Sequence, residues 1–368
     1  MTIYLRDLPI EQKIGQLFCV GIAGPELDDQ TRALLDDISP GGICLFSRNI
    51  RDAEQTRKLN DDITEYLEFK PFLSLDQEGG TVDRLRRLVT PMAAAAKVRT
   101  SDQASKMASI IGELISILGF NMDFAPVVDV VDNERLVSSN GLFSRPFGSS
   151  KHDVVELAGT FLRVLQEHGP IGCLKHFPGL GGARVDAHEE LPVVPISREE
   201  LFDTDLYPYR KLLKTGNVHA VMAAHVCFPS VDLQETDRDG RLLPSSLSYN
   251  FLTNLLRDEL EYDGLVITDD LEMGAIVKNY GIGEACKMAV KAGVDQLAIC
   301  ADPVAIREGF GAVLSAVKNG DISLDRLDRS LVRIEHLKNK LASSIPFDAG
   351  RISQLSAEIA AFNEELGA

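Results

Sequence analysis

The segment Leu265-Val266-Ile267-Thr268-Asp269-Asp270 is a short apolar run, rich in β-branched residues, that ends in two adjacent aspartates. Such a run is typical of a strand that is buried on both faces, as in a parallel sheet. We find eight runs of this kind, and each is followed by a longer segment with helical periodicity. The predicted strands lie at residues 17–21, 42–46, 71–75, 121–125, 171–174, 220–224, 265–268 and 296–300.

The segments between and after these strands are predicted to be helices. They lie at residues 28–37, 54–67, 101–118, 153–168, 199–215, 248–260, 283–292, 303–318 and 324–342. Strands that alternate with helices indicate a parallel sheet, and eight units that close on one another form an α/β protein with a single (β/α)8 TIM-type barrel and extra C-terminal helices. We expect one domain over residues 1–368, with its core at about residues 5–342.

An open doubly wound sheet is the competing arrangement. Such a sheet often has a glycine-rich nucleotide-binding turn after its first strand. The corresponding segment here is Gly21-Ile22-Ala23-Gly24-Pro25, which does not match the spacing of that turn. The sequence therefore favours the barrel.

Charge and composition restrict the partners. The 368 residues carry a formal net charge of −17, from 38 Lys and Arg against 55 Asp and Glu, and this charge would repel a phosphate backbone, so we expect no nucleic acid partner. No stretch reaches the ~18 apolar residues of a membrane span, so we expect no membrane partner. The opening segment lacks the apolar run of a secretory signal, which predicts a cytoplasmic protein. The oligomeric state is left open.

The six cysteines are scattered along the chain, and four of them, Cys19, Cys44, Cys173 and Cys300, lie within apolar runs. This placement favours buried, reduced thiols over a disulfide framework or a zinc site. We therefore expect no metal and no other cofactor.

Polar and charged residues lie in or directly after five consecutive predicted strands, toward the ends where barrel enzymes carry their catalytic groups. These residues are Asp76, Asp123, Lys175 with His176, His225, and Asp269 with Asp270. No metal-ligand spacing, phosphate-binding loop or G-x-S-x-G motif accompanies them. Carboxylates opposite an acid/base group suit displacement at an acetal carbon, so these residue types favour the cleavage of a glycosidic bond.

The same segments resemble glycoside hydrolase family 3, in its β-N-acetylglucosaminidase (β-hexosaminidase) branch. The motifs that carry the resemblance are Ile14-Gly15-Gln16-Leu17-Phe18, Asp76-Gln77-Glu78-Gly79-Gly80, Asp123-Phe124-Ala125-Pro126-Val127-Val128-Asp129, Lys175-His176-Phe177-Pro178-Gly179 and Ile267-Thr268-Asp269-Asp270-Leu271. The resemblance extends over most of the chain. It implies a barrel enzyme that retains anomeric configuration and needs no metal or organic cofactor.

The resemblance also implies roles for particular residues. Asp269 matches the nucleophile, which forms a covalent glycosyl-enzyme, and His188 matches the general acid/base, with Asp186 as its partner. The positions that match sugar-binding residues are Asp76, Arg84, Arg145, Lys175 and His176. One segment departs from the family pattern: the family commonly reads P-G-H-G-D where this chain has Pro178-Gly179-Leu180-Gly181-Gly182. This difference bears on the conformation of the loop and on the site for the leaving sugar.

Each of these residues also has a purely structural interpretation. Asp269 could cap a helix, although Asp270 can serve that purpose, and His188 could be an exposed loop histidine. Lys175 could be buried in an ion pair with a barrel acid such as Asp123. Arg84 and Arg145 could be solvated loop charges, and His225 could be a packed histidine at the barrel rim.

The function that these features predict is an exo-acting β-N-acetylglucosaminidase or β-hexosaminidase that removes a terminal, non-reducing N-acetylhexosamine. The chain has no tryptophan, and long polysaccharide grooves typically stack sugars on broad aromatic rings, so a small pocket for one terminal sugar is favoured. Two other activities of the same family stay open: a glycoside phosphorylase, because a neutral imidazole would not repel phosphate, and a β-glucosidase. An alternative of another class is a sugar-binding barrel that has lost turnover.

Overall fold

The computed structural model describes residues 4–132, 134–137 and 141–368 and contains a sheet of eight parallel strands. The strands are β1 (Phe18–Gly21), β2 (Gly42–Cys44), β3 (Phe72–Leu75), β4 (Met122–Asp123), β5 (Ile171–Phe177), β6 (Ala220–Ala223), β7 (Leu265–Thr268) and β8 (Leu297–Ile299). Their order is β8-β1-β2-β3-β4-β5-β6-β7. A parallel bridge between Ile267 in β7 and Gln296 before β8 joins the two edges, so the sheet is a nearly closed barrel. The predicted fold class is confirmed.

The α-helices surround this sheet and follow it at its C-terminal end. They are α1 (Ile10–Gly15), α2 (Asp29–Ile38), α3 (Ala53–Tyr66), α4 (Ser101–Ile117), α5 (Lys151–Glu167), α6 (Arg198–Glu200), α7 (Tyr207–Leu212), α8 (Gly274–Val277), α9 (Ile282–Ala292), α10 (Pro303–Lys318), α11 (Leu324–Lys338) and α12 (Ala349–Leu366). Several begin at a side-chain cap: Asp52, Thr100 and Ser150 each accept a hydrogen bond from the amide three residues later.

Two predicted helices are less regular than expected. The helix predicted at residues 199–215 is divided into α6, a π-helical turn Leu201–Asp205, α7 and a 3-10 turn Leu213–Thr215. Pro208 lies in the first turn of α7, a position where a helix tolerates the missing backbone N–H of proline. The same missing donor prevents the hydrogen bonds of the preceding helical turns from continuing through Pro208. The helix predicted at residues 248–260 is present as a π-helical segment, Asn250–Glu259.

Helix α12 was not predicted, because the mixed polar and apolar composition of the C-terminal tail obscured its periodicity. Its buried residues Ile352, Leu355, Ile359 and Phe362 recur at helical spacing and pack against α4. The C-terminal extension therefore comprises α11 and α12, in addition to the helix α10 that follows the last strand.

The strands of the barrel are buried on both faces, as their apolar sequences predict. All six cysteines are free and buried, which confirms the prediction of reduced thiols. Within the described ranges, no helix is long and apolar enough to cross a membrane.

Candidate active site

One pocket lies at the C-terminal ends of the barrel strands. The residues that the sequence indicated for catalysis or sugar binding all line it: Asp76, Arg84, Arg145, Lys175, His176, Asp186, His188 and Asp269. Parallel strands present their carboxyl ends at the same side of a barrel, which is why residues far apart in the sequence meet here. The altered loop position, Leu180, is buried and lines the same pocket.

Lys175, near the end of β5, is buried between two carboxylates. Its Nζ lies 2.6 Å from Asp76 Oδ1 and 2.6 Å from Glu78 Oε1. Arg84 adds a contact of 3.1 Å from Nη2 to Asp76 Oδ2. Burial alone would raise the pKa of Asp76, but the charges of Lys175 and Arg84 outweigh it and hold the pKa below its usual range. Asp76 therefore stays ionised across the physiological pH range.

The alternative pairing of Lys175 with Asp123 is wrong. The partners of Lys175 are Asp76 and Glu78, which project from the segment after β3. Asp123 Oδ1 instead accepts a hydrogen bond of 2.9 Å from the Gln77 amide, and its Oδ2 has no hydrogen-bond partner among the described residues. Burial raises the pKa of Asp123 well above its ordinary value.

Glu78 also belongs to the site, although the sequence did not indicate it. It accepts a bidentate pair of hydrogen bonds from Arg145, with 2.8 Å from Nε to Oε2 and 2.9 Å from Nη2 to Oε1. Burial would raise its pKa, but Arg145 and Lys175 outweigh burial and lower the pKa to about 2. The signal was available, because Glu78 lies two residues after Asp76 and alternate residues of an extended segment share one face.

His176 is held by a second missed residue, Asp129. Its Nδ1 lies 2.7 Å from Asp129 Oδ2, and its Nε2 lies 3.3 Å from Arg145 Nη2. A guanidinium group can only donate, so Nε2 accepts and the ring proton on Nδ1 is donated to Asp129. Asp129 Oδ1 also accepts a hydrogen bond of 2.7 Å from the Leu180 amide. Asp129 thus ties the start of the loop after β5 to the ring of His176.

Asp186 and His188 form the expected pair on this loop. His188 Nδ1 lies 2.8 Å from Asp186 Oδ1, and the His188 amide donates to the same oxygen over 2.9 Å. The two side chains are 42% and 71% exposed, for Asp186 and His188 respectively. Partial burial would raise the pKa of Asp186, but its two hydrogen bonds to His188 outweigh it and lower the pKa. The ionised carboxylate accepts the Nδ1 proton, which leaves Nε2 as the atom that can exchange a proton.

Asp269 directly follows β7 and is half-buried. Its amide donates to Ala223 O in β6 over 3.0 Å, and its Oδ1 accepts a hydrogen bond of 2.8 Å from the Asp270 amide. Asp270 supports the following turn instead, because its Oδ1 accepts a hydrogen bond of 3.0 Å from the Glu272 amide. Burial raises the pKa of Asp270 to about 7.

His225 is packed within the barrel rim. It is fully buried, its Nδ1 lies 2.7 Å from Ser246 Oγ, and its Nε2 lies 3.1 Å from the Asp270 carbonyl oxygen. Burial lowers its pKa, which keeps the ring neutral. Both ring nitrogens are therefore hydrogen-bonded within the protein, as predicted for a packed histidine at the barrel rim. In the portion of the chain that the structure describes, no group of three or more His, Cys, Asp and Glu side chains is arranged to hold a metal ion.

The fold is that of a (β/α)8 barrel, and its pocket concentrates polar groups at the carboxyl ends of the strands, where barrel enzymes carry their active sites. Residues 9–337 match the glycosyl hydrolase family 3 N terminal domain, and the chain belongs to this family. The resemblance that the motifs indicated is confirmed.

Several relatives are similar over most of this chain. Beta-hexosaminidase A from Pseudoalteromonas piscicida is 30% identical to this chain, and the alignment covers 93% of this chain but only 58% of that protein. The beta-hexosaminidase from Tolumonas auensis is 33% identical over 305 residues, covering 81% of this chain and 85% of the relative.

Solved structures show the same similarity. A glycoside hydrolase family 3 beta-N-acetylglucosaminidase from Paenibacillus sp. superposes with a TM-score of 0.85 and 36% sequence identity. The alignment covers 96% of this chain and 69% of that one. The shared region is therefore nearly the whole of this chain and only part of the Paenibacillus protein.

Proposed function

We propose that this protein is a retaining, exo-acting β-N-acetylglucosaminidase or β-hexosaminidase that removes a terminal, non-reducing β-linked N-acetylhexosamine. The observation that carries the proposal is the convergence of Asp269, the Asp186–His188 pair and the charged network on one pocket. The names of the relatives point to the same class of substrate. We further propose that the chain acts as one catalytic domain, with its core at about residues 5–342.

In the first step, Asp269 attacks the anomeric carbon while His188 Nε2 gives a proton to the glycosidic oxygen. The C–O bond to the leaving group breaks, and a covalent bond forms between the sugar and an oxygen of Asp269. In the second step His188 removes a proton from water, the water attacks the same carbon, and Asp269 departs as a carboxylate. Two inversions at one carbon give net retention.

The Asp186–His188 pair is suited to this exchange. An imidazole titrates near neutrality, so it can give a proton in one step and take one in the next. Asp186 holds the ring in the tautomer with hydrogen on Nδ1 and stabilises the imidazolium form by its charge.

Asp76, Arg84, Arg145, Lys175 and His176 would bind the sugar. Lys and Arg supply donors and Asp76 supplies acceptors for hydroxyl groups. Because these side chains already hold one another through ion pairs, the sugar meets groups that are oriented in advance and little side-chain entropy is lost on binding.

A panel of aryl β-glycosides tests the proposal. N-acetylglucosaminide and N-acetylgalactosaminide substrates should be cleaved faster than the glucoside, and NMR of the first product should show the β-anomer. Adding phosphate distinguishes the family alternatives, because a phosphorylase would release a sugar phosphate and a hydrolase would release the free sugar. Preference for the glucoside would favour a β-glucosidase. Sugar binding without turnover of any substrate would favour the degenerate barrel and overturn the proposal.

A further inference from the structure

The segment that carries His188 is docked on the first turn of α8, the helix that closely follows Asp269. The Gly274 amide donates to His188 O and the Ala275 amide donates to Ala187 O, both over 3.1 Å. Lys278 Nζ donates to Glu189 O over 2.5 Å. We call residues 187–189 the docking segment.

The docking segment satisfies groups that α8 itself leaves without acceptors. The first amides of a helix have no partner within it and need a cap. Met273, at the N-cap position of α8, provides no side-chain acceptor. The carbonyl groups of Ala187 and His188 take that place, so the helix start and the docking segment stabilise each other.

Gly274 makes this contact sterically possible. A Cβ atom at Gly274 would lie 2.6 Å from both His188 O and Glu189 O. Both neighbours are backbone atoms, so they cannot rotate away as a flexible side chain would. Ala187 packs with Met273 and Ala275 in a small apolar cluster beside this contact. Any residue larger than glycine at position 274 must therefore displace the docking segment.

The side chain of His188 does little to fix its own position relative to the barrel. Its imidazole is 71% exposed, and the carboxylate that holds the ring, Asp186, belongs to the same loop. In contrast, α8 is tied to the strand end that carries Asp269, because the Met273 amide donates to Asp270 O over 3.0 Å. The docking contact thus relates the acid/base residue to the nucleophile through the backbone.

We propose that Gly274 is a positioning residue for catalysis: it lets the docking segment pack against α8 and so sets the distance from His188 to the sugar held at Asp269. This inference rests on the proposed roles of His188 and Asp269. It adds a requirement that the catalytic residues alone do not specify, namely a glycine in the segment after the nucleophile.

The test compares Gly274→Ala with His188→Ala and with a matched control, Gly311→Ala. Gly311 lies in α10 and is exposed, and beyond the neighbouring backbone of its own helix a Cβ atom there would meet no atom of the described residues within 4 Å, so its substitution should leave activity unchanged. For Gly274→Ala, kcat/KM on a phenyl N-acetyl-β-glucosaminide should fall about 30-fold, within the range that general acid catalysis contributes. On the 2,4-dinitrophenyl substrate, whose departure needs little protonation, kcat/KM should fall less than about 3-fold.

A second readout is rescue by azide. Azide attacks the glycosyl-enzyme without a general base, so it should restore kcat of Gly274→Ala on the dinitrophenyl substrate and release a β-glycosyl azide. A general loss of folding would not respond to azide. If Gly274→Ala does not fold, Lys278→Ala provides the test, because the Lys278 side chain is exposed and can be removed without leaving a buried cavity. It removes the hydrogen bond to Glu189 O, and a loss of kcat/KM of about 2- to 5-fold, confined to the phenyl substrate, is expected.

Equal losses on both substrates without azide rescue, or no loss in Gly274→Ala, would overturn the positioning role. In either case, a loss of kcat/KM in His188→Ala that is confined to the phenyl substrate would leave the proposed function intact. If His188→Ala itself shows no dependence on the leaving group, the assignment of the acid/base fails, and the positioning role fails with it.

Discussion

The ammonium group of Lys175 lies 2.6 Å from a carboxylate oxygen of Glu78, and both side chains are buried. Glu78 also holds Arg145 through two hydrogen bonds, and Lys175 also holds Asp76. The floor of the pocket is therefore one network of ion pairs rather than a set of independent residues. A buried charge that loses its partner is costly, so the network couples sugar binding to stability.

Glu78→Gln should weaken both properties. The amide keeps the shape of the side chain but removes the charge that faces Lys175 and Arg145. We expect a loss of about 3 kcal/mol in the free energy of unfolding, measured by urea denaturation. Binding of N-acetylglucosamine, measured by calorimetry, should weaken about 10-fold as Arg145 loses its orientation. Glu65→Gln, at an exposed position on α3, is the control and should be neutral. Unchanged stability in Glu78→Gln would contradict a network that stabilises the fold.

Asp269→Asn should abolish turnover and leave folding and sugar binding nearly intact. The substitution removes the attacking charge but keeps the shape, so kcat should fall by at least about 1,000-fold. In the unmodified protein, a slowly turned over fluorinated N-acetylglucosaminide should label Asp269, as read by peptide mass spectrometry. Asp270→Asn is the neighbouring control and should still be labelled at Asp269. A label on Asp76 or Asp270 would move the nucleophile to that residue.

His188→Ala should affect poor leaving groups far more than activated ones. We expect kcat/KM on phenyl glycosides to fall about 100-fold or more, and the dinitrophenyl substrate to be nearly unaffected. Asp186→Asn should show the same pattern with a smaller amplitude, because the ring remains but its tautomer and cation lose their support. Comparable losses on both kinds of substrate would mean that His188 shapes the site without transferring a proton.

Asp270 should make the protein less stable as the pH rises. Its pKa is raised from 3.8 to about 7 by burial, so between these values the folded protein binds a proton that the unfolded chain has lost. The free energy of unfolding therefore falls through this window as pH increases. Between pH 5 and pH 8 this fall should be about 3 kcal/mol larger in the unmodified protein than in Asp270→Asn. Urea denaturation at several pH values measures the difference, and parallel profiles would contradict it.

Much of the fold was predictable from the sequence. The eight apolar runs and their helices could be located because burial on both faces of a parallel strand leaves a clear apolar pattern. The same alternation predicted that residues after the strands would meet at one side of the barrel, and Asp76, Lys175, His176, Asp269 and Asp270 do line one pocket, whereas Asp123 and His225 are buried and do not line it. The helix α12 was missed because its apolar residues are diluted by polar ones and its packing against α4 is a long-range contact.

The local sequence pattern alone determined where the strands lie, that the thiols are free, and which residue types are available at the pocket. These features depend on the hydrophobicity of short segments and on which residues follow each strand. Tertiary structure decided which of those residues act on each other. Lys175 pairs with Asp76 and Glu78 rather than with Asp123, and Asp129 joins His176 to Leu180, because side-chain distances depend on how separate strands and loops pack. The contact between Gly274 and the His188 carbonyl oxygen has the same origin, since it joins the first turn of α8 to a loop that is distant in sequence and meets it only in the folded barrel.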